Sequence, residues 1–441
     1  MHSEATPARV PVATQAGDIR ARWAWTEPSV WTDRMLAALE QGVKGGVWFS
    51  LIDKVYADRT LRAAWQRVTA NGGAAGVDHV TVAMYERDVD RHLATLATQL
   101  REETYRPQPI RRTWIDKPGS REQRPLGIPT VRDRVVQTAV RLVLEPIFER
   151  TFAAHSYGFR PQRGCKDALR RVNGLLRAGF TWVVDADLRH YFDTIPHAPL
   201  MQRVAEQVAD GRVLALLEVS LTQPVMDGLS TWTPEEGSPQ GAVVSPLLAN
   251  IYLNPLDHAM VTAGFEMVRY ADDFVILCRC EADAARALAL IAQWTAAAGL
   301  TLHPDKTRII DSTQRGGFDF LGYHFERGRH WPRPKSVMKL KDALRAKTPR
   351  NRGQSLAVII DDVNRTTRGW FQYFQHSPRR TFPHLDAWVR MRLRSILRRR
   401  HRQSGRGRGR DHQRWPNAYF AALGLYRLTT AHAAACQSVR R

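Results

Sequence analysis

The tetrapeptide Tyr270-Ala271-Asp272-Asp273 lies between two apolar runs, Phe265 to Val268 and Phe274 to Leu277. Apolar run, short polar break, apolar run is the pattern of a β-hairpin, here with two carboxylates at its tip. Adjacent carboxylates at a tight turn repel each other, and a cation between them relieves the repulsion. Hard divalent ions such as Mg²⁺ take oxygen ligands of this kind. Two such ions, roughly 3.5–4 Å apart, can hold the attacking and leaving oxygens of a phosphoryl transfer. An exposed acidic turn without function satisfies the same four letters, so the rest of the chain must decide.

A second acidic strand end follows the same logic. Trp182-Val183-Val184-Asp185-Ala186-Asp187-Leu188 is an apolar strand ending in acids, followed by Arg189-His190-Tyr191-Phe192-Asp193. Alternation along a strand puts Asp185 and Asp187 on one face. Either can be the ligand, with the other behind it.

The 441 residues carry a formal net charge of +22, which calls for a polyanionic partner such as nucleic acid. From Arg327 to Arg414, 25 Lys and Arg stand against 5 Asp, a local excess of +20. The four cysteines, Cys165, Cys278, Cys280 and Cys436, contain no C-x-x-C pair, which excludes a Cys-based zinc ribbon. Cys278 and Cys280 are expected on one side of a strand as small hydrophobes, and so few cysteines fit a reducing cytoplasm. No apolar run approaches the ~20 residues of a membrane helix, and no signal pattern opens the chain.

Residues 1 to about 30 lack periodicity and read as a loose leader. Helices are expected from Trp31, over Asp53 to Val68 and over Tyr85 to Glu103. The Gly-rich loop Asn71 to Asp78 lacks the lysine of a P-loop. From Tyr105 to Phe325 short strands (112–115, 181–187, 268–277, 307–310, 320–324) alternate irregularly with helices (132–152, 165–177, 198–208, 243–263, 282–298). This is an α+β pattern, a small antiparallel sheet backed by helices. Beyond Arg333, Leu356 to Phe374 and Leu385 to Leu397 carry helical apolar stripes, and Arg390, Arg394 and Arg398 form an expected basic face. Arg402 to Arg414, with its Arg-Gly repeats, reads as a flexible nucleic-acid contact.

In order, Asp-x-Asp-Leu-x-x-Tyr-Phe-Asp, Ser238-Pro239-Gln240-Gly241 and Tyr270-Ala271-Asp272-Asp273 resemble the motif series of reverse transcriptases. More closely, the chain resembles a bacterial group II intron reverse transcriptase/maturase, from about Trp48 to about His401. Trp48-Phe49-Ser50-Leu51, Gly73 to Asp78, Arg124-Pro125-Leu126-Gly127-Ile128-Pro129 and Tyr157-Gly158-Phe159-Arg160-Pro161 contribute. So do Asn250-Ile251-Tyr252-Leu253, Pro304-Asp305-Lys306-Thr307 and Phe320-Leu321-Gly322-Tyr323.

The resemblance implies a right-hand polymerase: fingers and palm with a small antiparallel sheet over residues 48–325, then a helical thumb/maturase domain over 335–401. Residues 1–47 would be a leader and first helix, and 402–441 a basic tail without an HNH endonuclease. Asp187, Asp272 and Asp273 would hold two Mg²⁺ ions; Asp187 is preferred to Asp185 because the family's aromatic gate falls a few residues after the catalytic Asp. Phe192 would be that gate, stacking under the deoxyribose, with Tyr191 a poorer fit. Lys117 and Arg124 would clamp the triphosphate, Gln240 and Gly241 would lie beside the nucleotide, and Lys306 near the leaving pyrophosphate. Arg160 and Arg163 would touch the template.

The implied partners are intron RNA, an RNA template with a DNA primer, target DNA and dNTPs. The implied setting is bacterial cytoplasm, at the nucleoid when the protein is on DNA. The implied function is RNA-directed DNA polymerisation together with intron splicing and retrohoming. Two other readings fit the same residues: an intron-free reverse transcriptase serving host repair or phage defence, and a splicing cofactor with an idle polymerase site. Oligomeric state is not legible.

Overall fold

The computed structural model describes residues 16–43, 45–116, 123–403, 405 and 409–438. The chain opens with six helices: α1 (Ala16–Arg22), α2 (Asp33–Gln41), α3 (Ile52–Tyr56), α4 (Asp58–Asn71), α5 (Val82–Glu86) and α6 (Val89–Arg101). The leader expected up to residue 30 is, from Ile19 onward, part of the core. Val30 and Trp31 are fully buried, and the Trp31 indole nitrogen donates to the Leu142 carbonyl at 3.0 Å. A 13-residue stretch with three tryptophans lacks periodicity because it packs by bulk, not by one helical face. The helix expected over 53–68 breaks at Ala57, which is extended at ψ 134°, and that expected over 85–103 breaks at Asp88.

Strands β1 (Ile110–Asp116), β2 (Gln123–Ile128), β4 (Val225–Asp227) and β5 (Ser230–Trp232) form one sheet in the order β2-β1-β4-β5. β2 escapes a period-2 reading because it contains Pro125 and Gly127. It lies at the sheet edge, where proline is tolerated. Between these strands run α7 (Val131–Glu149), α8 (Cys165–Arg177), β3 (Trp182–Asp187), α9 (His197–Ala205) and α10 (Gly211–Leu221). Thr130 starts α7, its hydroxyl accepting from the Asp133 amide at 3.2 Å, a standard N-cap.

The second sheet is antiparallel throughout. It joins β3 to β6 (Glu266–Tyr270), β7 (Asp273–Cys278) and β8 (Arg308–Asp311) in the order β6-β7-β3-β8. Strand alternation sends Val184, Ala186, Met267, Phe274 and Ile276 into the main core, with α7, α11 (Ser245–Thr262) and α12 (Glu281–Ala297). Val183, Val268, Val275 and Leu277 face the other way, against α8 and a three-stranded sheet of β9 (Phe318–Phe320), β10 (Tyr323–Glu326) and β11 (Arg329–Pro332). The single strand expected over 320–324 is a hairpin. Leu321 and Gly322, both with positive φ (46° and 85°), turn the chain, as a two-residue hairpin loop requires. Cys278 is buried, but β7 ends there and Cys280 is exposed, so the two do not share a packed strand face.

The C-terminal quarter is helical: α13 (Pro334–Lys347), α14 (Leu356–Phe374), α15 (Thr381–Arg400), α16 (Asp411–Arg414), α17 (Asn417–Ala422) and α18 (Leu428–Ser438). The expected tail folds back. Trp415, Phe420, Leu425 and Leu428 enter the same core as Ile359, Val363, Phe382 and Leu393. This return corrects the expected basic face of α15. Arg394 is buried, donating to the Trp415 carbonyl at 2.9 Å and Asn417 Oδ1 at 3.0 Å and lying over the Phe420 ring. Arg398 binds Asp411 Oδ2 at 2.8 Å, and Arg390 is half-buried. The stripe that reads as a solvent face is the inner wall against which the last helices dock.

Trp31→Ala removes a fully buried indole and its hydrogen bond. We expect chemical denaturation to show a loss of about 3–5 kcal/mol; a loss below about 1 kcal/mol, the scale of an ordinary surface change, would show that residues 19–31 do not belong to the core.

Candidate active site

The turn between β6 and β7 contains only Ala271 and Asp272, and Ala271 takes φ 61°. A left-handed non-glycine residue costs on the order of 1–2 kcal/mol, so its surroundings must impose it. Arg269, with no exposed surface, does most of this. Its Nε donates to Asp257 Oδ1 at 2.7 Å, and a second guanidinium nitrogen donates to Asp257 Oδ2. A third donates to Asn250 Oδ1 at 2.8 Å and to the Ala271 carbonyl at 2.9 Å. Asn250 and Asp257, seven residues apart on α11, lie on one helix face. Burial works against the Arg269 charge, yet Asp257 holds the guanidinium above its ordinary pKa.

A neighbouring segment closes on the turn from outside. The Tyr157 amide donates to the Arg269 carbonyl at 2.8 Å, and the Arg269 amide donates to the His155 carbonyl at 3.0 Å. Asn250 Nδ2 donates to the Gly158 carbonyl at 2.8 Å. A Cβ on Gly158 would overlap the Ala271 backbone nitrogen, so only glycine permits this approach.

The sheet register brings the acids together. Asp187 on β3 is directly opposite Asp273 on β7, whereas Asp185 is opposite Val275 and Arg308. Directly opposed residues point to one face with Cβ atoms about 4.5–5.5 Å apart, and like charges there destabilise the sheet. Asp273, the first residue of β7, is exposed to solvent on one side and has protein packed around the other. Burial and the carboxylates of Asp185, Asp272 and Asp187 push its carboxyl up to about 7. Burial raises Asp185 to about 6 against the pull of Arg308. Asp272 is raised by burial and by Asp187.

Two cations answer these acids. Lys306 Nζ donates to Asp187 Oδ2, and Arg308 lies 3.4 Å from Asp185. Among the described residues, no three His, Cys, Asp or Glu side chains already stand as a metal cage. The donor chemistry nevertheless fits hard divalent ions: oxygen ligands only, with surplus negative charge and an ammonium group as the present counter-ion.

Beside the acids lies a cleft of about 430 Å³ whose lining includes Arg112, Gly127, Phe192, Asp193, Trp232 and Gln240. Tyr191 is buried, its hydroxyl donating to the Ala249 carbonyl at 2.6 Å, while Phe192 faces the cleft and meets Phe159 edge-on at 6.3 Å. The Gln240 carbonyl accepts from the Gly127 amide at 2.6 Å. Gly241 has no room for a Cβ because the Gly127 carbonyl of β2 presses on it, so its close approach is to protein backbone. Arg124 is exposed on β2, and Lys117 lies outside the described residues.

Arg160 is corrected. It is buried, pairing with Glu149 at 2.6 Å and donating to the Ala153 and Ser156 carbonyls, so its guanidinium fixes the loop and does not face a template. Arg163, partly exposed, donates to the Ala154 carbonyl. Sequence reasoning missed Arg269, Asn250 and Asp257. A charged residue at a core strand position, and two polar residues seven apart on an apolar helix, were the available signal. It also missed Arg112, whose guanidinium lies 4.6 Å over the Trp232 ring.

Residues 115–325 match the family described as reverse transcriptase (RNA-dependent DNA polymerase), and residues 337–415 match the group II intron maturase-specific domain. Protein YkfC of Escherichia coli (strain K12) is 31% identical over 382 residues, covering 77% of this chain and 94% of that one. Group II intron-encoded protein LtrA of Lactococcus lactis subsp. cremoris is 36% identical over 197 residues, 44% of this chain and 32% of LtrA, so the matched part spans about a third of that relative. Among solved structures, telomerase from Candida albicans in complex with a fragment of telomeric RNA aligns at a TM-score of 0.43 with 12% identity, covering 72% of this chain and 60% of that one.

The Asp273 carboxyl binds its proton more tightly when folded, so stability is lost as pH rises from about 4 through about 7. In chelator, Asp273→Asn should melt at a higher temperature than the unaltered protein at pH 8, and the difference should shrink steadily as pH falls towards 4. Equal or lower melting at pH 8 would show that the opposed carboxylates do not strain the sheet.

Proposed function

The chain belongs to the group II intron reverse transcriptase/maturase family, and from that premise we propose that Asp187, Asp272 and Asp273 form the centre of its RNA-directed DNA polymerase. The observation that carries this reading is the register that sets Asp187 against Asp273, one residue beyond a turn clamped by Arg269. The reaction is attack of a DNA primer 3′-hydroxyl on the α-phosphorus of a dNTP paired to an RNA template, with pyrophosphate leaving. Two Mg²⁺ ions, when bound, supply the Lewis acidity that activates the hydroxyl and offsets charge on the leaving oxygens.

The protein's own groups do the remainder. The three carboxylates provide the oxygen ligands, and Asp187 gives up Lys306 as its counter-ion when it does so. Lys306 Nζ, then free at the rim, can give a proton to the departing pyrophosphate. Arg124 on β2, together with Lys117, is the candidate clamp on the triphosphate, as charge-assisted contacts to phosphate favour. Phe192, whose ring faces the cleft, is the candidate gate beneath the sugar. Gln240 and Gly241 set the opposite wall by joining it to β2.

The helical region matched to the maturase domain is proposed to hold intron RNA during splicing, and the polymerase to copy that RNA during retrohoming into target DNA. No described helix is long and apolar enough to cross a membrane. The proposed setting is the bacterial cytoplasm, on the nucleoid when the protein is engaged with DNA.

Asp187→Ala, Asp272→Ala and Asp273→Ala should each lower single-turnover primer extension on an RNA template by at least about a hundredfold, the scale on which single electrostatic groups act in such sites. Extension within a few fold of the unaltered protein for any of them would remove that residue from the centre. Phe192→Val should raise ribonucleotide incorporation relative to deoxyribonucleotide; an unchanged ratio would leave Phe192 as packing alone.

A further inference from the structure

Away from the acidic centre, a cleft of about 810 Å³ opens between α8, β10–β11, the end of α14 and α18. Its walls carry Lys166, Arg170 and Arg177 from α8, His330 from β11, His376 after α14 and His432 from α18. No Asp or Glu lines it; Asp167, on the outer side of α8, pairs with Arg170 at 2.8 Å. Burial and the neighbouring cations depress the pKa of His330 and His376: Arg177 acts on the first, Lys166 and Arg170 on the second. A space that concentrates positive charge in this way is completed by an anion.

The spacing says which kind of anion. Lys166, Arg170 and Arg177 lie at i, i+4 and i+11, one stripe of α8 roughly 16 Å long at 1.5 Å per residue. A single phosphate ion meets one of them; a chain of phosphates meets all three. Across the cleft from the stripe stand rings that reach solvent: Tyr373, with its hydroxyl fixed on the Leu321 carbonyl at 2.7 Å, His330 and His376, all carried on a floor that includes the buried Tyr323. Cations along one wall and rings on the other suit an unpaired strand, whose bases are free to stack while its backbone follows the charges. Tyr373 and His376 belong to the segment matched to the maturase domain, and Lys166 to the segment matched to the reverse transcriptase, so a strand lying here bridges both.

We propose that this cleft binds a single-stranded segment of RNA separate from the template being copied. The proposal rests on the RNA-directed reading above and adds a second RNA contact to it. It also stands in for the expected basic face of α15, where Arg394 is buried and Arg390 and Arg398 are half-buried.

The test uses the full chain and a fluorescein-labelled 20-nucleotide oligouridylate, with affinity read by anisotropy across a salt series. Lys166→Gln/Arg177→Gln should bind about tenfold or more weakly and reduce the salt slope by about 1.4, two phosphate contacts on a single strand. Its primer extension on a saturating, pre-annealed RNA template should stay at the unaltered rate. A 4-thiouridine version of the oligomer should crosslink to residues 323–330 and 373–376. Unchanged affinity and slope in the double variant, or crosslinks elsewhere, would overturn the proposal. Equal affinity for the oligodeoxyuridylate of the same length would overturn the assignment to RNA. Extension by the unaltered protein separates these failures from failure of the polymerase reading, which predicts none of the cleft results.

Discussion

The buried guanidinium of Arg269 is the contact on which the candidate centre depends. It joins α11, through Asn250 and Asp257, to the carbonyl of the left-handed Ala271. Without it, the Ala271 carbonyl loses its guanidinium donor and the turn that orients Asp272 and Asp273 is free to relax. Removing one member of a buried ion pair typically costs about 3–5 kcal/mol because the other charge is stranded. The strength of the clamp therefore exceeds the strain it holds, about 1–2 kcal/mol at a non-glycine left-handed residue. Gly158 closes the turn from the other side, where any side chain would collide.

That rigid turn serves a sheet that is electrostatically unfavourable by itself. Asp187 and Asp273 are directly opposed, and Asp185 stands two residues away on the same face. Lys306 and Arg308 answer two of these acids from β8 and the loop before it, which leaves Asp272 and Asp273 with raised pKa values. A fold that keeps such a cluster on a clamped frame is stable in spite of its site, and its surplus negative charge is what a hard divalent cation would offset.

Much of this was legible in the sequence, for identifiable reasons. The hairpin around Asp272 and the strand ending at Asp187 follow from apolar runs broken by acids, and the helix Cys165–Arg177 from a clean apolar stripe. What failed was the meaning of arginine. Arg160, Arg269 and Arg394 are all buried, yet a linear reading assigns a charged residue to solvent or ligand unless its partner is nearby in sequence. Their partners lie on other elements: Glu149, Asp257 and the backbone after Trp415. The N-terminal tryptophans and the returning C-terminal helices were missed for the same reason, since both pack against surfaces formed far along the chain.

On the proposed reading, register and clamp together make Asp187, Asp272 and Asp273 one cation site. Anomalous scattering from crystals of the protein soaked in Mn²⁺ tests it most directly. The expected result is density bounded by the Asp187, Asp272 and Asp273 carboxylates, with Lys306 displaced from Asp187. Density held instead at Asp185 alone, or an undisturbed Lys306–Asp187 pair at saturating Mn²⁺, would contradict it.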